Sequence, residues 1–306
     1  MKLVSVIVAT YKREETLNKA LESLAEQTYP NMEIVLVDDN GNDEWNCKIS
    51  QIVMDFHNRH PNIILEYIVN NPNQGSAKTR NIGIAAAKGH YITFLDDDDI
   101  YLPDKIRKQV EFMESDGCDY SITDLNLYNE NEKEIDKRIR SYIKDTSVSA
   151  LRRYHLKYHM TGTDTMMFKK EYLTKIGGFA PIDVGDEFYL MHRAIEAGGK
   201  FGYLPGCEIK AYVHTGDGGL SSGDGKINGE KALYEYKKKF FDQLAHKDVR
   251  YIKMRYYAVI AYAELRRKNY GKFITNSTKS FFASPLGFFS MFKWQRLYDI
   301  FSIYFR

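Results

Sequence analysis

The first hundred residues alternate short apolar runs with amphipathic stretches. The apolar runs are rich in β-branched residues and occupy residues 3–9, 33–38, 63–69 and 90–95. Short runs of this kind are typical of strands buried on both faces of a parallel sheet. The intervening stretches repeat apolar residues at helical spacing, as Leu17, Leu21 and Leu24 do. Strands alternating with helices predict βαβ units, and therefore an α/β fold with a mostly parallel central sheet flanked by helices.

The pattern continues less regularly to residue 224. It predicts helices over 103–113, 170–176 and 185–197, strands over 120–128 and 164–168, and a polar surface loop over 129–145. Residues 215–229 contain six glycines, a composition that favours a mobile loop. Amphipathic helices are predicted beyond it, over 230–245 and 250–268. We therefore expect an α/β domain over 1–224 and a helical extension over 225–306.

Composition and cysteine usage exclude several classes of protein. The 306 residues are 43% hydrophobic and 27% charged, which is sufficient for a buried core and argues against wholesale disorder. Cys47, Cys118 and Cys207 form no CxxC pair, so neither a disulfide framework nor a zinc site is expected. No run of 18 apolar residues occurs. These features favour a cytoplasmic protein.

The charge is divided unevenly along the chain. Residues 225–306 carry 17 basic against six acidic side chains, a net charge of +11, and residues 1–224 carry −9. The last 26 residues, 281–306, also contain ten aromatic residues. Two interpretations stay open for this tail. It forms either an aromatic helix packed on protein or an interfacial helix on an anionic membrane, which would place the protein on the inner face of the cell membrane.

The strongest chemical signal is the run of four acids from Asp96 to Asp99, which follows the fourth apolar strand. In open α/β sheets, ligands bind beyond the carboxyl ends of the strands. Carboxylate oxygens suit Mg²⁺ or Mn²⁺, whose coordination shell substrate phosphates often complete. A solvated turn before Pro103 is the alternative. The run predicts a divalent cation site for a phosphorylated ligand.

Two further segments follow strands at the same predicted edge. Asp38 and Asp39 end the second strand, where a carboxylate can accept hydrogen bonds from a nucleoside, although Asp-Asn-Gly is also an ordinary turn. Arg80 lies one turn inside a helix that begins near Ser76, where its guanidinium can bind a phosphate or an acidic side chain of the site.

These segments, in this order, resemble the family 2 glycosyltransferases of the polysaccharide and glycoconjugate type, which have a GT-A fold and invert the anomeric configuration. The likeness extends from Val4 to about Ser222, and it implies that the domain over 1–224 is the catalytic domain. It implies that Thr10, Tyr11, Arg13, Asp39, Arg80, Asp96 and Asp97 bind the nucleotide. It further implies that Asp98, Asp96 and His214 bind the metal, with Asp96 to Asp98 as the DxD motif. The segment from Lys175 to Phe179 resembles the GGF segment of the family.

The acid pair of the family is reversed in this chain. The family writes Glu-Asp and uses the second acid as catalytic base, whereas this chain has Asp186 followed by Glu187. Alignment favours Glu187 and chemical identity favours Asp186, so both are candidates for the base.

The resemblance implies an enzyme that moves a sugar from a nucleotide sugar, most often a UDP-sugar, to a hydroxyl of a glycan or lipid-linked acceptor. The cofactor would be Mn²⁺ or Mg²⁺. We expect no nucleic-acid partner, and an oligomer is compatible with the sequence. A sugar nucleotidyltransferase is one alternative, although it would carry a glycine-rich loop after the first strand. A non-catalytic nucleotide-sugar-binding subunit is the other, although it would not need the acid pair.

Overall fold

The computed structural model describes residues 1–182, 185–213 and 223–291. The strands are β1 (Val4–Thr10), β2 (Met32–Asp38), β3 (Ile64–Val69), β4 (Tyr91–Asp96), β5 (Ile100–Tyr101), β6 (Tyr120–Thr123), β7 (Leu125–Tyr128), β8 (Glu134–Arg138), β9 (Met166–Lys169), β10 (Phe201–Leu204) and β11 (Ile209–Tyr212). The helices are α1 (Glu15–Ala25), α2 (Asp43–Arg59), α3 (Ser76–Ala86), α4 (Lys105–Asp116), α5 (Val148–Tyr158), α6 (Lys170–Lys175), α7 (Asp186–Glu196), α8 (Gly223–Lys238), α9 (His246–Arg266), α10 (Tyr270–Ala283) and α11 (Pro285–Met291).

A seven-stranded sheet organises the first part of the chain. Its strand order is β10-β6-β9-β4-β1-β2-β3, and all neighbouring pairs are parallel except the two that β9 makes with β4 and β6. The predicted α/β class and mostly parallel sheet are confirmed. Strand β9 lies between β4 and β6 and runs antiparallel to both. Its apolar residues from Met166 to Phe168 are fully buried there.

Helix α3 packs directly on the sheet because it carries a glycine at the contact. A Cβ on Gly83 would lie 2.5 Å from Cγ2 of Ile7 in β1, a distance that no side chain could accept without a shift. This close approach brings the N-terminal half of α3, with Arg80, beside the strands that end in the acids.

A second sheet has four strands, in the order β5-β11-β7-β8. It shows that two of the elements predicted from the sequence were wrong in part. Residues 120–128 do not form one strand but divide into β6 and β7, which belong to different sheets. Residues 129–145 do not form only a loop, because β8 pairs antiparallel with β7 across Leu125 and Arg138. The polar composition of β8 is that of an edge strand, which sequence alone does not distinguish from a loop.

The chain divides into two compact units. One comprises Met1–Arg152 with Met160–His214, and the other Arg153–His159 with Thr215–Arg306. The segment Arg153–His159 therefore belongs with the C-terminal helices, which no sequence pattern indicated. The predicted loop over 215–229 is wrong in part, because α8 already begins at Gly223. The predicted catalytic domain over 1–224 stays a prediction.

The described part of the second unit is helical. α9 packs against α8, α10 and α11, in the region where the sequence predicted a helical extension. Among the residues that the structure describes, no helix combines the length and hydrophobicity needed to cross a bilayer.

Candidate active site

The register of the main sheet brings three chemically distinctive segments to one edge. Thr10 is paired with Asp38 across β1 and β2, and Ala9 with Asp96 across β1 and β4. Because these strands are parallel, the residues that follow them emerge side by side. The sequence predicted this convergence from the order of the strands.

The loop after β1 is tied to the loops on both sides. The Tyr11 N–H donates to Asp97 Oδ2 at 3.2 Å, and the Lys12 N–H donates to Asn40 Oδ1 at 2.8 Å. Nη2 of Arg13 donates to Asp98 Oδ2 at 3.0 Å. The Tyr11 side chain is 49% exposed, so its ring is available to stack on a flat ligand.

The four consecutive acids have unequal environments. The side chains of Asp96 and Asp98 are 34% and 20% exposed, whereas that of Asp97 is 13% exposed. Asp99 is buried. Burial, with Asp98 nearby, raises the pKa of Asp97 to about 7. Asp96 and Asp98 are therefore the carboxylates of the run that a ligand can best reach, and they have the DxD spacing.

A buried acid that the sequence did not single out lies behind this run. Oxygens of Asp96, Asp99 and Asp164 lie within 4.8 Å of one another. Asp164 Oδ1 accepts the Asp96 N–H at 2.8 Å, and Asp99 Oδ1 accepts the Tyr212 N–H at 2.8 Å. Burial, followed by the Asp96 carboxylate, raises the pKa of Asp164 to about 7. Three oxygens at this spacing can hold a hard cation or share a proton.

The only sequence signal for Asp164 is a charge at the start of an apolar strand. The predicted strand over 164–168 begins instead at Met166, because Thr163–Thr165 form a turn of 3₁₀-helix. That turn directs the Asp164 carboxylate to the end of β4.

Arg80 joins the acid run to the first turn of α7. Its Nη2 donates to Asp96 Oδ1 at 2.8 Å, and its Nη1 donates to Asp186 Oδ2 at 2.7 Å. Burial alone would lower the pKa of the Arg80 guanidinium, but Asp96 and Asp186 raise it above its ordinary value. The sequence allowed either a phosphate or an acidic partner, and the structure places two carboxylates there.

The two candidate bases occupy different environments in α7. Asp186 is 5% exposed and also accepts the Glu187 N–H at 2.9 Å through Oδ1. The pKa of Asp186 is raised to about 6, chiefly by burial; the Arg80 guanidinium opposes this rise and the Glu187 carboxylate adds to it. Glu187 is partly exposed. A carboxylate that is enclosed and ion-paired is poorly placed to meet an acceptor hydroxyl.

Asn81 fixes the turn that leads towards α7. Its Nδ2 donates to the Phe179 carbonyl at 2.8 Å, and its Oδ1 accepts the Phe179 N–H at 2.8 Å. Gly178 has a φ of +58°, and a Cβ there would lie 2.4 Å from Asn81 Oδ1. Gly178 is therefore required by this contact, and Gly177 is favoured by its own φ of +80°.

Asp39 holds the loop after β3. Its Oδ1 accepts hydrogen bonds from Asn70 Nδ2 and the Gln74 N–H, both at 2.8 Å, and its Oδ2 accepts the Gly75 N–H at 2.9 Å. These contacts order the chain immediately before α3. Recognition of a nucleobase by Asp39 stays a prediction.

The structure thus brings the predicted site residues to one sheet edge, with one exception. Thr10, Tyr11, Arg13, Arg80 and the acids from Asp96 to Asp98 lie together, and Asp186 joins them through Arg80. His214, predicted as a metal ligand, lies outside the described residues.

Substitution of Arg80 tests whether its bridge between Asp96 and Asp186 is needed for turnover. We expect Arg80→Lys to lower turnover by about 10-fold to 100-fold, the range for groups that orient metal ligands, because one ammonium cannot reproduce the two-pronged contact. The measurement is kcat and KM for the donor, together with thermal denaturation. Lys78→Arg, on the same helix, is the matched control. Unchanged kcat in the folded Arg80→Lys protein would contradict the assigned role.

Comparison with known proteins identifies the family of the chain. Residues 5–177 match the family model described as glycosyl transferase family 2. The chain is 37% identical over 133 residues to WfaP of Escherichia coli, a UDP-Glc:alpha-D-GlcNAc-diphosphoundecaprenol beta-1,3-glucosyltransferase. That match covers 43% of this chain and 49% of WfaP, so the chain spans about half of that relative.

Solved structures show the same fold. S. aureus TarS 1-349 in complex with UDP-GlcNAc superimposes with a TM-score of 0.58 at 17% identity, over 94% of this chain and 92% of that one. The mannosyltransferase PcManGT of Pyrobaculum calidifontis, in complex with GDP-Man and Mn²⁺, gives a TM-score of 0.58 at 16% identity, over 97% of this chain and 87% of that one. The expected GT-A-like fold is therefore confirmed.

Proposed function

Because the chain belongs to glycosyl transferase family 2, we propose that it transfers a hexosyl or N-acetylhexosaminyl group from a UDP-sugar to a hydroxyl of a lipid-linked glycan, with inversion. One observation carries the proposal: Arg80 bridges Asp96, at the exit of β4, and Asp186, at the start of α7. This bridge supports the proposal because it joins the acid run to the first turn of α7, and the reaction needs both a metal-binding segment and a general base. The UDP-Glc donor and diphosphoundecaprenol acceptor in the name of WfaP support the substrate classes.

The donor is held by the loops at the edge of the sheet. Tyr11 stacks on the base, and Arg13 sets the position of Asp98 through its 3.0 Å contact. Thr10, the last residue of β1, lines the nucleotide. Asp39 acts through the loop that it clamps, which fixes the start of α3. The roles of these four residues rest on their placement and on the family resemblance.

The residues present fit a divalent cation. Asp98 and Asp96 present accessible oxygen ligands of the kind that Mn²⁺ and Mg²⁺ prefer, and they would hold the ion. When bound, such an ion neutralises the charge that develops on the departing diphosphate. Asp99 and Asp164 are buried and accept backbone N–H groups. They therefore stabilise the backbone at the end of β4 on its buried side.

Glu187 is the general base in this proposal. It takes the proton from the acceptor hydroxyl as that oxygen attacks the anomeric carbon and the bond to the diphosphate breaks. A single displacement of this kind inverts the anomeric configuration. Asp186 is a positioning residue, because its carboxylate is committed to Arg80 and caps the first turn of α7.

A donor panel tests the activity. Purified protein is mixed with UDP-, GDP- and dTDP-sugars, with Mn²⁺ or with EDTA. We expect a UDP-sugar to raise the melting temperature by several degrees only with Mn²⁺, since a ligand that binds the native state stabilises it. The same UDP-sugar should release UDP by slow hydrolysis, in which water takes the sugar in place of the acceptor hydroxyl.

The alternatives give different products. A nucleotidyltransferase would release pyrophosphate from a nucleoside triphosphate and a sugar phosphate. A non-catalytic subunit would show binding without release of UDP. Either result would refute the proposed activity.

A further inference from the structure

Across residues 246–291, the outer surface of α9 to α11 lacks an exposed carboxylate. This range contains nine Lys and Arg against two acids, Asp248 and Glu264. Asp248 is fully buried and accepts Arg153 Nε at 2.5 Å and Lys157 Nζ at 2.7 Å. Glu264 is 4% exposed and lies 3.9 Å from Lys272 Nζ. The charge that these helices present to solvent is therefore cationic.

The same helices expose large apolar side chains. Tyr270, Ile274 and Phe282 of α10 are 60%, 62% and 72% exposed, and Leu286 and Phe289 of α11 are 87% and 64% exposed. We call these five residues the α10–α11 face. The three on α10 lie four and eight residues apart and so share one side of the helix.

The α10–α11 face is exposed because the helices pack on α9 through their other side. Ser280 is fully buried, and its Oγ donates to the Met254 carbonyl at 2.8 Å. Arg250 Nε also donates to the Ala283 carbonyl at 2.9 Å. Lys268, two residues before Tyr270, and Lys279, three residues before Phe282, are exposed. Aromatic and aliphatic groups beside lysines are typical of helices that lie in the plane of a membrane interface.

We propose that the α10–α11 face binds the headgroup region of an anionic lipid bilayer. Apolar groups enter the interface, and the lysines contact lipid phosphates. A second copy of the chain fits less well, because two surfaces without exposed carboxylates repel each other. An acidic protein could pair with the lysines but would leave the exposed rings without an apolar partner. This proposal does not depend on glycosyl transfer.

Co-sedimentation of the full chain with vesicles tests the proposal. We expect binding to vesicles of phosphatidylcholine with phosphatidylglycerol, little binding to phosphatidylcholine alone, and release at high salt. Phe282→Ser with Leu286→Ser should weaken binding by about tenfold or more. Lys268→Glu with Lys279→Glu should do the same, because each basic residue contributes about fivefold.

Two matched controls lie elsewhere in the chain. Ile64→Ser removes an apolar side chain of 57% exposure in β3, and Lys133→Glu reverses an exposed lysine. Both should bind vesicles as the unaltered protein does, and thermal denaturation checks that every variant is folded. Release of the unaltered protein from anionic vesicles at high salt tests the electrostatic contribution without any substitution.

Three results would overturn the proposal. The first is equal binding of the full chain to both vesicle types, and the second is unchanged vesicle binding by the folded double variants. The third is a chain that dimerises without binding vesicles and loses the dimer in Phe282→Ser. UDP release from the donor panel is measured separately, so a failure here is distinguishable from a failure of the proposed activity.

Discussion

Replacing Glu187 by glutamine is expected to lower turnover by about two to four orders of magnitude, the usual contribution of a general base. The amide side chain would have the size of the carboxylate but could not accept a proton. Donor binding should survive, because the change leaves Asp96 and Asp98, the acids that would hold the cation and the diphosphate, in place. The measurement is UDP release and donor affinity for the variant and the unaltered enzyme.

Asp186→Asn distinguishes a base from a positioning residue. An asparagine can still accept a hydrogen bond from Arg80, so we expect a smaller loss of turnover. The low-pH limb of the kcat/KM profile, which reports the base, should persist in Asp186→Asn and disappear in Glu187→Gln. Glu187→Asp should recover part of the activity.

The opposite ranking would reassign the base. If Asp186→Asn removes the low-pH limb while Glu187→Gln retains near-normal turnover, then Asp186 is the base and its ion pair with Arg80 must open during the reaction.

Asp98→Ala should abolish the dependence of UDP binding on Mn²⁺. The side chain is one of the two accessible acids of the run, so its loss removes a metal ligand without emptying the core. The measurement is UDP affinity by calorimetry with Mn²⁺ and with EDTA, and the variant should give the same weak affinity in both. Thermal denaturation without ligand should match that of the unaltered protein.

Asp164→Asn is the matched control for this experiment. The amide oxygen of the variant could still accept the Asp96 N–H, and its neutral side chain would relieve repulsion with Asp99. We expect Mn²⁺-dependent binding to persist in this variant. If Asp164→Asn loses it and Asp98→Ala retains it, the cation is held by the inner group of Asp96, Asp99 and Asp164 instead.

Much of the fold could be read from the chain because its strands carry strong local signals. The β-branched runs over 3–9, 33–38 and 90–95 predicted parallel strands, and the polar and acidic residues at their ends predicted a site at the carboxyl edge. Glycines before Phe179 matched a motif whose reason, the contact with Asn81, became visible only in the structure.

Other features could not be predicted from local patterns in the sequence. The strand β8 is polar because it lies at a sheet edge, and polar edge strands and loops share a composition. Asp164 has no motif of its own, and its role arises only because β9 runs antiparallel beside β4. Likewise, the segment Arg153–His159 belongs to the second unit because Arg153 and Lys157 meet the buried Asp248.

The fold class, the family resemblance and the acids at the strand exits follow from the sequence alone, since they depend on residue type and on order along the chain. The environment of each acid, by contrast, depends on tertiary contacts. These contacts pair Asp186 with Arg80, leave Glu187 partly exposed, turn Asp99 inward and leave Asp98 accessible. Such choices depend on contacts between residues more than a hundred positions apart, as Arg80 and Asp186 are, and these contacts exist only once the chain has packed.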